Sequence, residues 1–505
     1  MAVTQEGNAH SVSLDTADRE GAALLREALR VASYDLSHIG PMLRSDSESA
    51  TPRIEDVPII ERLLPKGAPL STLVRLFLLG RTVSDADATV AFGPLSIEHA
   101  VALGVIRRAD NSVRSQVRLL PTGDLVLACD RTPDAAPDLP ADHVVGVGSA
   151  SRFLAGLTVR RPVRAALDLG TGCGIQAILA ARHATQVVAC DINPRALNFT
   201  AFNALLNGIT NVACRRGSFF EPVRGETFDL IVSNPPFVIS PESAMVYRDS
   251  GLRGDDVSRQ VITQASTHLA EGGLAFILIG WGVREGETWP DRLREWASDL
   301  PCDVWFLHHS SEVPLLYAAS WNSPLQSRSE EFAAAIDRWT AYLADLGFAQ
   351  VAYGAAVMRR RTAQKNWVRF DDLRGLDVPE SGEQIARLIA AQDYIAERNP
   401  ARLLETRLVR EPQHRLDQIL RARDGTFAVE GAALRLLTGL RFSTPLDGFG
   451  AALFAHLDGT MTVADAARSA AEIHGDGARD AEVLAQATNI ARRLLAFGLL
   501  RLPDP

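Results

Sequence analysis

The chain lacks any apolar run long enough to cross a membrane. Its longest, residues 274–281, falls far short of the roughly 20 residues a spanning helix needs. Its opening residues, MAVTQEGNAHS, hold neither a basic stretch nor an apolar core, so no secretion signal is expected. Cysteine is scarce: Cys129, Cys173, Cys190, Cys214 and Cys302 are scattered, odd in number and free of any C-x-x-C spacing. That pattern argues against a disulfide framework or a zinc site, and the expectation is a reducing cytoplasm with the cysteines as small core residues. Excess positive charge is missing too. With 52 Lys and Arg against 61 Asp and Glu the net charge is −9, so nucleic-acid binding would need a local basic patch. No internal repeat is visible. The dinucleotide fingerprint G-x-G-x-x-G is incomplete, because Ile175 stands where its last glycine belongs. Otherwise the composition is that of a soluble chain, and 505 residues call for two or more domains.

What is present is a glycine loop behind a buried strand. Residues 163–169 (VRAALDL) are mostly apolar and run straight into glycine, as a parallel strand does. Gly170, Gly172 and Gly174 have no Cβ, so the chain can turn tightly and lay its backbone against a ligand. Residues 175–182 (IQAILAAR) are helical in pattern, so the loop opens onto a helix N-terminus. Asp168 stands immediately before the loop. A carboxylate there suits a ligand with an ammonium and a sulfonium, not a pyrophosphate that seeks a bare helix N-terminus. A second strand, 186–190, ends at Asp191, 23 residues after Asp168, where a carboxylate can accept hydrogen bonds from ribose hydroxyls. By itself the loop also reads as a plain strand-to-helix turn or a nucleotide loop of another kind.

The pattern of residues 228–233 (FDLIVS) is another buried strand, and it ends at Asn234, Pro235, Pro236 and Phe237. An amide or exocyclic amine is a weak nucleophile because its lone pair is delocalised. Catalysis then consists of holding that nitrogen beside the methyl carbon with the lone pair aimed at it. The Asn234 side-chain oxygen and the Pro235 carbonyl can accept the two N–H groups. Proline rigidity fixes the pair, and Phe237 offers a face for stacking. No strong general base is required, since the product loses its proton after transfer. Together the two stretches point to methyl transfer from S-adenosylmethionine onto a planar nitrogen.

These residues resemble class I S-adenosylmethionine-dependent methyltransferases, and within them the HemK-like, release-factor glutamine methyltransferase group. The resemblance covers about residues 144–361 and rests on DLGTGCG (168–174), VVACDINPRAL (187–197) and FDLIVSNPPFV (228–238). The loop 247–254, the helix 255–269 and the strand 273–279 follow in the family's layout. It implies a Rossmann-like seven-stranded sheet with an antiparallel last strand, the final two strands near 303–308 and 350–358 and an extra helix at 330–346. It implies cofactor contacts from Asp168, Gly170, Thr171, Gly172, Gly174, Asp191, Ile192, Ser218, Phe219 and Asn234. Asn234, Pro235, Pro236 and Phe237 would position the acceptor, and no metal is called for. Two residues depart from the family. Ser218 stands where an Asp is usual, so it can bond adenine but not as an anion. Phe237 stands where glutamine methyltransferases mostly carry Tyr, and Phe there is frequent in ribosomal RNA base methyltransferases.

Around this core, residues 1–14 read as a disordered tail and 15–140 as an N-terminal accessory region. The latter has a helix at 16–33, helices at 70–79 and 95–103, and two strands around 121–124, a winged-helix-like pattern. Residues 132–140 read as a Pro-rich acidic linker, with the catalytic domain at 141–371. Glycines and serines in 143–149 would line the cofactor mouth. The pair His308–His309 is read as structural, since neighbours on a strand point to opposite faces. A basic cluster with aromatics, residues 359–370, could contact phosphates and bases, but a solvated strand end is the simpler reading. Residues 372–505 read as mainly helical, with three amphipathic helices at 447–457, 462–473 and 481–497, a winged-helix type of unit.

Several acceptors fit. A protein glutamine amide comes first, on the HemK-like arrangement and the negative charge. An RNA or DNA base, adenine N6 or guanine N2, is the alternative, on Phe237 and the basic cluster. A small molecule enclosed by the flanking domains, or a non-catalytic cofactor-binding regulator, completes the set. The terminal domains would supply partner contacts, and no membrane partner is expected.

Overall fold

The computed structural model describes residues 13–43, 56–131, 139–362, 365–375, 378–397, 399–423, 425–474 and 479–503. Most of the expected tail and linker lies outside them. The chain divides into two units, one of Met1–Leu154 and Arg161–Arg374, the other of Ala155–Arg160 and Gly375–Pro505.

The first unit is built on a mixed sheet. Its strands are β1 (Val163–Leu169), β2 (Ala184–Asp191), β3 (Val212–Arg216), β4 (Phe228–Ser233), β5 (Leu269–Arg284), β6 (Cys302–Glu312), β7 (Phe348–Arg360) and β8 (Val368–Asp372). Their order is β8-β6-β7-β5-β4-β1-β2-β3. All neighbours are parallel except that β7 runs antiparallel to β5 and β6. The apolar runs are dictated by position. Ala166–Leu169 and Leu230–Ser233 are buried because central parallel strands are covered on both faces. Helices α1 (Ile175–Ala181), α2 (Pro194–Leu206), α3 (Asp256–His268), α4 (Trp289–Ala297), α5 (Pro314–Trp321) and α6 (Ser329–Asp345) connect the strands.

The sheet has eight strands where seven were expected. The added β8 overlaps the end of the basic cluster, and its mixed charge concealed it. Asp371 accepts a hydrogen bond from the Trp305 indole at 2.7 Å, and Phe370 stacks on Phe306 at 5.6 Å, so this charged segment has a cross-strand place to go. The extra helix is present as α6, and α5 precedes it unforeseen.

The residues before the sheet add helices Arg19–Val31, Pro69–Leu73, Asp85–Phe92 and Ile97–Ala102, with a π-helical turn at Val74–Leu78. The two expected strands are a hairpin, Val117–Thr122 with Leu125–Asp130. A further small sheet, Val83–Ser84, Ser112–Ser115 and Ile106–Ala109, lies beside it in sequence. These elements share one hydrophobic core with α1 and α2, through Phe199, Phe202 and Ile178. Asparagines on α2 stitch the join: Asn203 bonds both backbone groups of Ala128 and Asn207 those of Val126.

The second unit has helices Gly382–Ala396, Pro400–Glu405, Gly448–His456, Val463–His474 and Asp480–Ala496, the last three close to the expected ones. It also holds a three-stranded antiparallel sheet of β9 (His414–Arg423), β10 (Thr426–Leu436) and β11 (Ser443–Pro445), which a mainly helical reading did not include. Among the described residues, no helix is long and apolar enough to cross a membrane.

Candidate active site

A cavity of about 320 Å³ opens at the C-terminal ends of β1, β2 and β4. This is where an open α/β sheet binds its ligand. The glycine loop forms its floor. Gly170, Gly172 and Gly174 have φ of 72°, 57° and 84°, left-handed values that L side chains resist. The loop is held by its own backbone: Gly170 and Thr171 N–H groups donate to the Cys190 carbonyl at 2.9 and 3.0 Å, and Gly174 donates to Thr171 at 2.8 Å.

Asp168 is buried, 2% exposed. Its carboxylate accepts from the Thr171 hydroxyl at 2.7 Å and the Ala177 N–H at 2.9 Å, joining the loop to the start of α1. Burial pushes its pKa up to about 7. Asp191 accepts from the Gly172 N–H at 3.0 Å and the Asn193 N–H at 2.9 Å, and its carboxyl too is raised by burial. Both line the cavity, with Gly170, Thr171, Gly172, Ile192, Ser218, Phe219, Asn234, Pro235 and Pro236. Phe219 holds φ of 46°, which turns the chain after Ser218.

Two of the expected residues lie elsewhere. Gly174 caps α1, where an added Cβ would come 2.9 Å from the Thr200 side chain, so its role is to let helix α2 approach. Phe237 does not line the cavity; its ring stacks on Tyr353 of β7 at 5.1 Å, and its N–H donates to the Pro235 carbonyl at 2.7 Å. The Asn-Pro-Pro-Phe turn is braced from behind, since the Ile239 N–H donates to the Tyr317 hydroxyl of α5 at 2.9 Å. Residues that sequence reasoning did not single out also reach the cavity, among them His143, Gln176, Asn193, Tyr247 and Asp249. Asn193 was visible in VVACDINPRAL as an Asn-Pro helix start and Gln176 stands in the first turn of the helix expected after the glycine loop; His143, Tyr247 and Asp249 depend on loops whose course no periodicity reveals. Of the glycines and serines expected at the mouth in 143–149, Gly146 lines the cavity, with Ser151 just beyond.

The donor set decides what charge the cavity accepts. Asp168, Asp191 and Asp249 line it, and among the described residues no Lys or Arg does. That suits a cationic ligand with sulfonium and ammonium groups and opposes a pyrophosphate. Cys173 and Cys190 also reach it, but burial pushes their thiols up to about 11 and about 12, so neither offers a thiolate. Among the described residues, no group of three or more His, Cys, Asp or Glu converges as a metal site. His308 is buried with Nε2 2.7 Å from the Ser311 hydroxyl, while His309 packs on Phe153.

Residues 145–282 match the Methyltransferase small domain family. Sheet order, cavity and match make this part of the chain a class I methyltransferase domain, an enzyme fold whose members take S-adenosylmethionine as methyl donor. Residues 31–116 and 386–502 match two domains of unknown function, DUF7059 and DUF7782. The release factor glutamine methyltransferase of Xylella fastidiosa is 38% identical over 133 residues, 23% of this chain and 47% of that protein. The ribosomal protein uL3 glutamine methyltransferase of Bradyrhizobium diazoefficiens is 35% identical over 158 residues, 29% and 49% of the two chains. The ribosomal RNA small subunit methyltransferase C of Alcanivorax borkumensis is 30% identical over 112 residues, 22% and 31%. The chain thus spans less than half the length of each of these relatives.

Proposed function

We propose that the chain is an N-methyltransferase acting on a planar nitrogen of a macromolecule, first of all a protein glutamine amide. The observation that carries this reading is the Asn234 amide. It lines the cavity and has no hydrogen-bond partner among the described residues, on a turn fixed by two prolines and braced by Tyr317. S-adenosylmethionine supplies the methyl group as an electrophilic carbon on sulfur. Asp191 holds the ribose hydroxyls, and Asp168 and the glycine loop set the floor against which the cofactor lies. Asn234 Oδ1 accepts one N–H of the acceptor nitrogen. The Pro235 carbonyl already takes the Phe237 N–H and has a second lone pair for the other. Held by both, the nitrogen lone pair would be directed at the methyl carbon, the new N–C bond would replace the S–C bond whose electron pair leaves with the sulfur as a neutral thioether, and the nitrogen would then shed its proton to water. Phe237 acts as the rigid backing of the turn through Tyr353, not as a stacking face in the cavity.

The protein reading is supported by the fate of the basic cluster. Arg359 and Arg361 are paired with the buried Asp303, at 2.5 and 3.4 Å, and Arg369 with Asp371 at 2.5 Å. Guanidiniums spent on internal carboxylates are not a phosphate track. Two named relatives act on glutamine in proteins, while the third acts on ribosomal RNA, which keeps a base acceptor as the second reading. Radioactive methyl transfer from S-adenosylmethionine into a cell extract, split between protease and nuclease, separates them. Protease-sensitive label is expected; nuclease-sensitive label would overturn the glutamine reading. Label that persists with Asn234→Ala comes from another enzyme.

A further inference from the structure

The second unit carries an exposed hairpin. Strand β9 is the edge of its sheet, in the order β9-β10-β11, so its outer row of N–H and C=O groups has no strand partner among the described residues. Directly opposed residues share a face. Leu416 pairs with Leu434, Leu420 with Val429 and Ala422 with Phe427. This face continues outward from the buried core: Leu434 is 1% exposed, then Leu416 41%, Leu420 52%, Val429 55% and Phe427 71%. The opposite face carries Arg415, Asp417, Ile419 and Arg421, with Ile419 66% exposed. A long edge strand with exposed apolar residues on both faces is a template for another strand.

We propose that β9 pairs antiparallel with β9 of a second copy of this chain, about a two-fold axis through Ile419, so that two three-stranded sheets become one of six. The charges select this occupant. Asp417 and Arg421 stand equally far on either side of Ile419, so the strand read backwards is complementary to itself. In that register Arg421 faces the partner's Asp417, and Asp417 the partner's Arg421. Ile419 meets Ile419, Leu416 lies opposite Ala422, and Leu420 opposite Gln418. Arg415, near the strand end, keeps Asp417 at 2.6 Å to take up its charge. Such an interface is closed and isologous. A nucleic acid does not fit the same surface. Its arginines are interleaved with carboxylates, Asp417 2.6 Å from Arg415 and Glu430 3.0 Å from Arg421, and this mixed charge repels phosphates while it complements a strand of the same alternating charge.

Sedimentation velocity on the full-length protein tests the association, and cysteine substitution tests the register. Wild type is expected to sediment as a dimer. Ile419→Lys, at a solvent-exposed site where folding is not at stake, should weaken self-association at least ~10-fold by placing two like charges on the axis. Ile419→Cys should form a covalent dimer under mild oxidation, reversed by reductant. Arg415→Cys should not, because at 3.3 Å per residue its two copies lie about 26 Å apart. The native cysteines, four buried and Cys214 partly so, set the background in a wild-type control. A wild type that stays monomeric at every concentration overturns the proposal. So does a dimer indifferent to Ile419→Lys, equal cross-linking by both cysteine variants, or a gain of mass only on adding RNA or another protein.

Discussion

Asn234 and Asp168 show how two polar side chains of one site take opposite roles. Among the described residues the Asn234 side chain has no hydrogen-bond partner, so the turn around it is set for an outside group. Asn234→Ala should lower kcat by about 10²-fold through lost positioning while cofactor affinity stays near wild type. Loss of cofactor binding in step with kcat would instead make Asn234 a cofactor contact. Asp168 is fully engaged and buried. Its carboxyl is raised from the ordinary value of 3.8 to about 7, so the folded state binds this proton more tightly than the unfolded chain does. Folding therefore gains from it at low pH, and that gain declines as pH rises from about 4 to about 7, by roughly 1 kcal/mol for each pH step of one. The melting temperature of the cofactor-free protein should contain a falling component across that window, and Asp168→Asn should remove it. Identical pH curves for the two proteins would show that the buried carboxyl does not titrate there.

At the scale of elements, the glycine loop and the Asn-Pro-Pro-Phe turn are positioned by different neighbours. Gly172 and Gly174 both sit at positive φ, so alanine costs roughly 1–2 kcal/mol in backbone strain at either. At Gly174 the Cβ would also press on Thr200 of α2, whereas at Gly172 it meets nothing within 4 Å. Thermal melting should therefore fall further for Gly174→Ala than for Gly172→Ala. Titration with S-adenosylmethionine should find the larger affinity loss in Gly172→Ala, whose methyl enters the cavity mouth. The turn depends on α5. Tyr317→Phe deprives the buried Ile239 N–H of its acceptor, a loss of about 1–3 kcal/mol. A lower kcat with cofactor affinity retained is expected, and an unchanged kcat would show that the prolines hold the turn unaided.

On the scale of the whole molecule, the second unit is more than an appendage to the chain's end. Residues 155–160, which precede β1 in sequence, belong to it: the Ser381 N–H donates to the Gly156 carbonyl at 2.6 Å and Arg160 pairs with Glu380 at 3.1 Å. Close approach of Gly382 to the Thr158 carbonyl, where a Cβ would stand at 2.3 Å, locks the same segment. A chain ending at Arg374 leaves these groups without partners. Losing contacts worth about 2 kcal/mol should lower its melting temperature by roughly 2–3 °C. An equal melting temperature would mean that residues 155–160 keep their conformation alone.

Local pattern carried the centre of the fold. Three apolar runs, each ending in glycine, Asp191 or Asn234, read as parallel strands feeding loops at one edge, because burial on both faces leaves an apolar run without alternation. The glycines, the two acids and the proline turn were legible for the same reason, since their chemistry is local. Tertiary structure alone decided which of them share the cavity. Phe237 turned away because Tyr353, more than a hundred residues later, offers it a ring, and Gly174 serves the approach of α2 rather than a ligand. Strand β8 and the hairpin β9–β10 were likewise hidden. The run of Leu416, Ile419 and Leu420 has helical spacing, and β8 is rich in charge; β8 becomes a strand because β6, about sixty residues earlier, satisfies its backbone groups, and β9 because the adjoining β10 does. His143, Tyr247 and Asp249 reach the cofactor cavity by the course of loops, which long-range packing sets and no short stretch of sequence encodes.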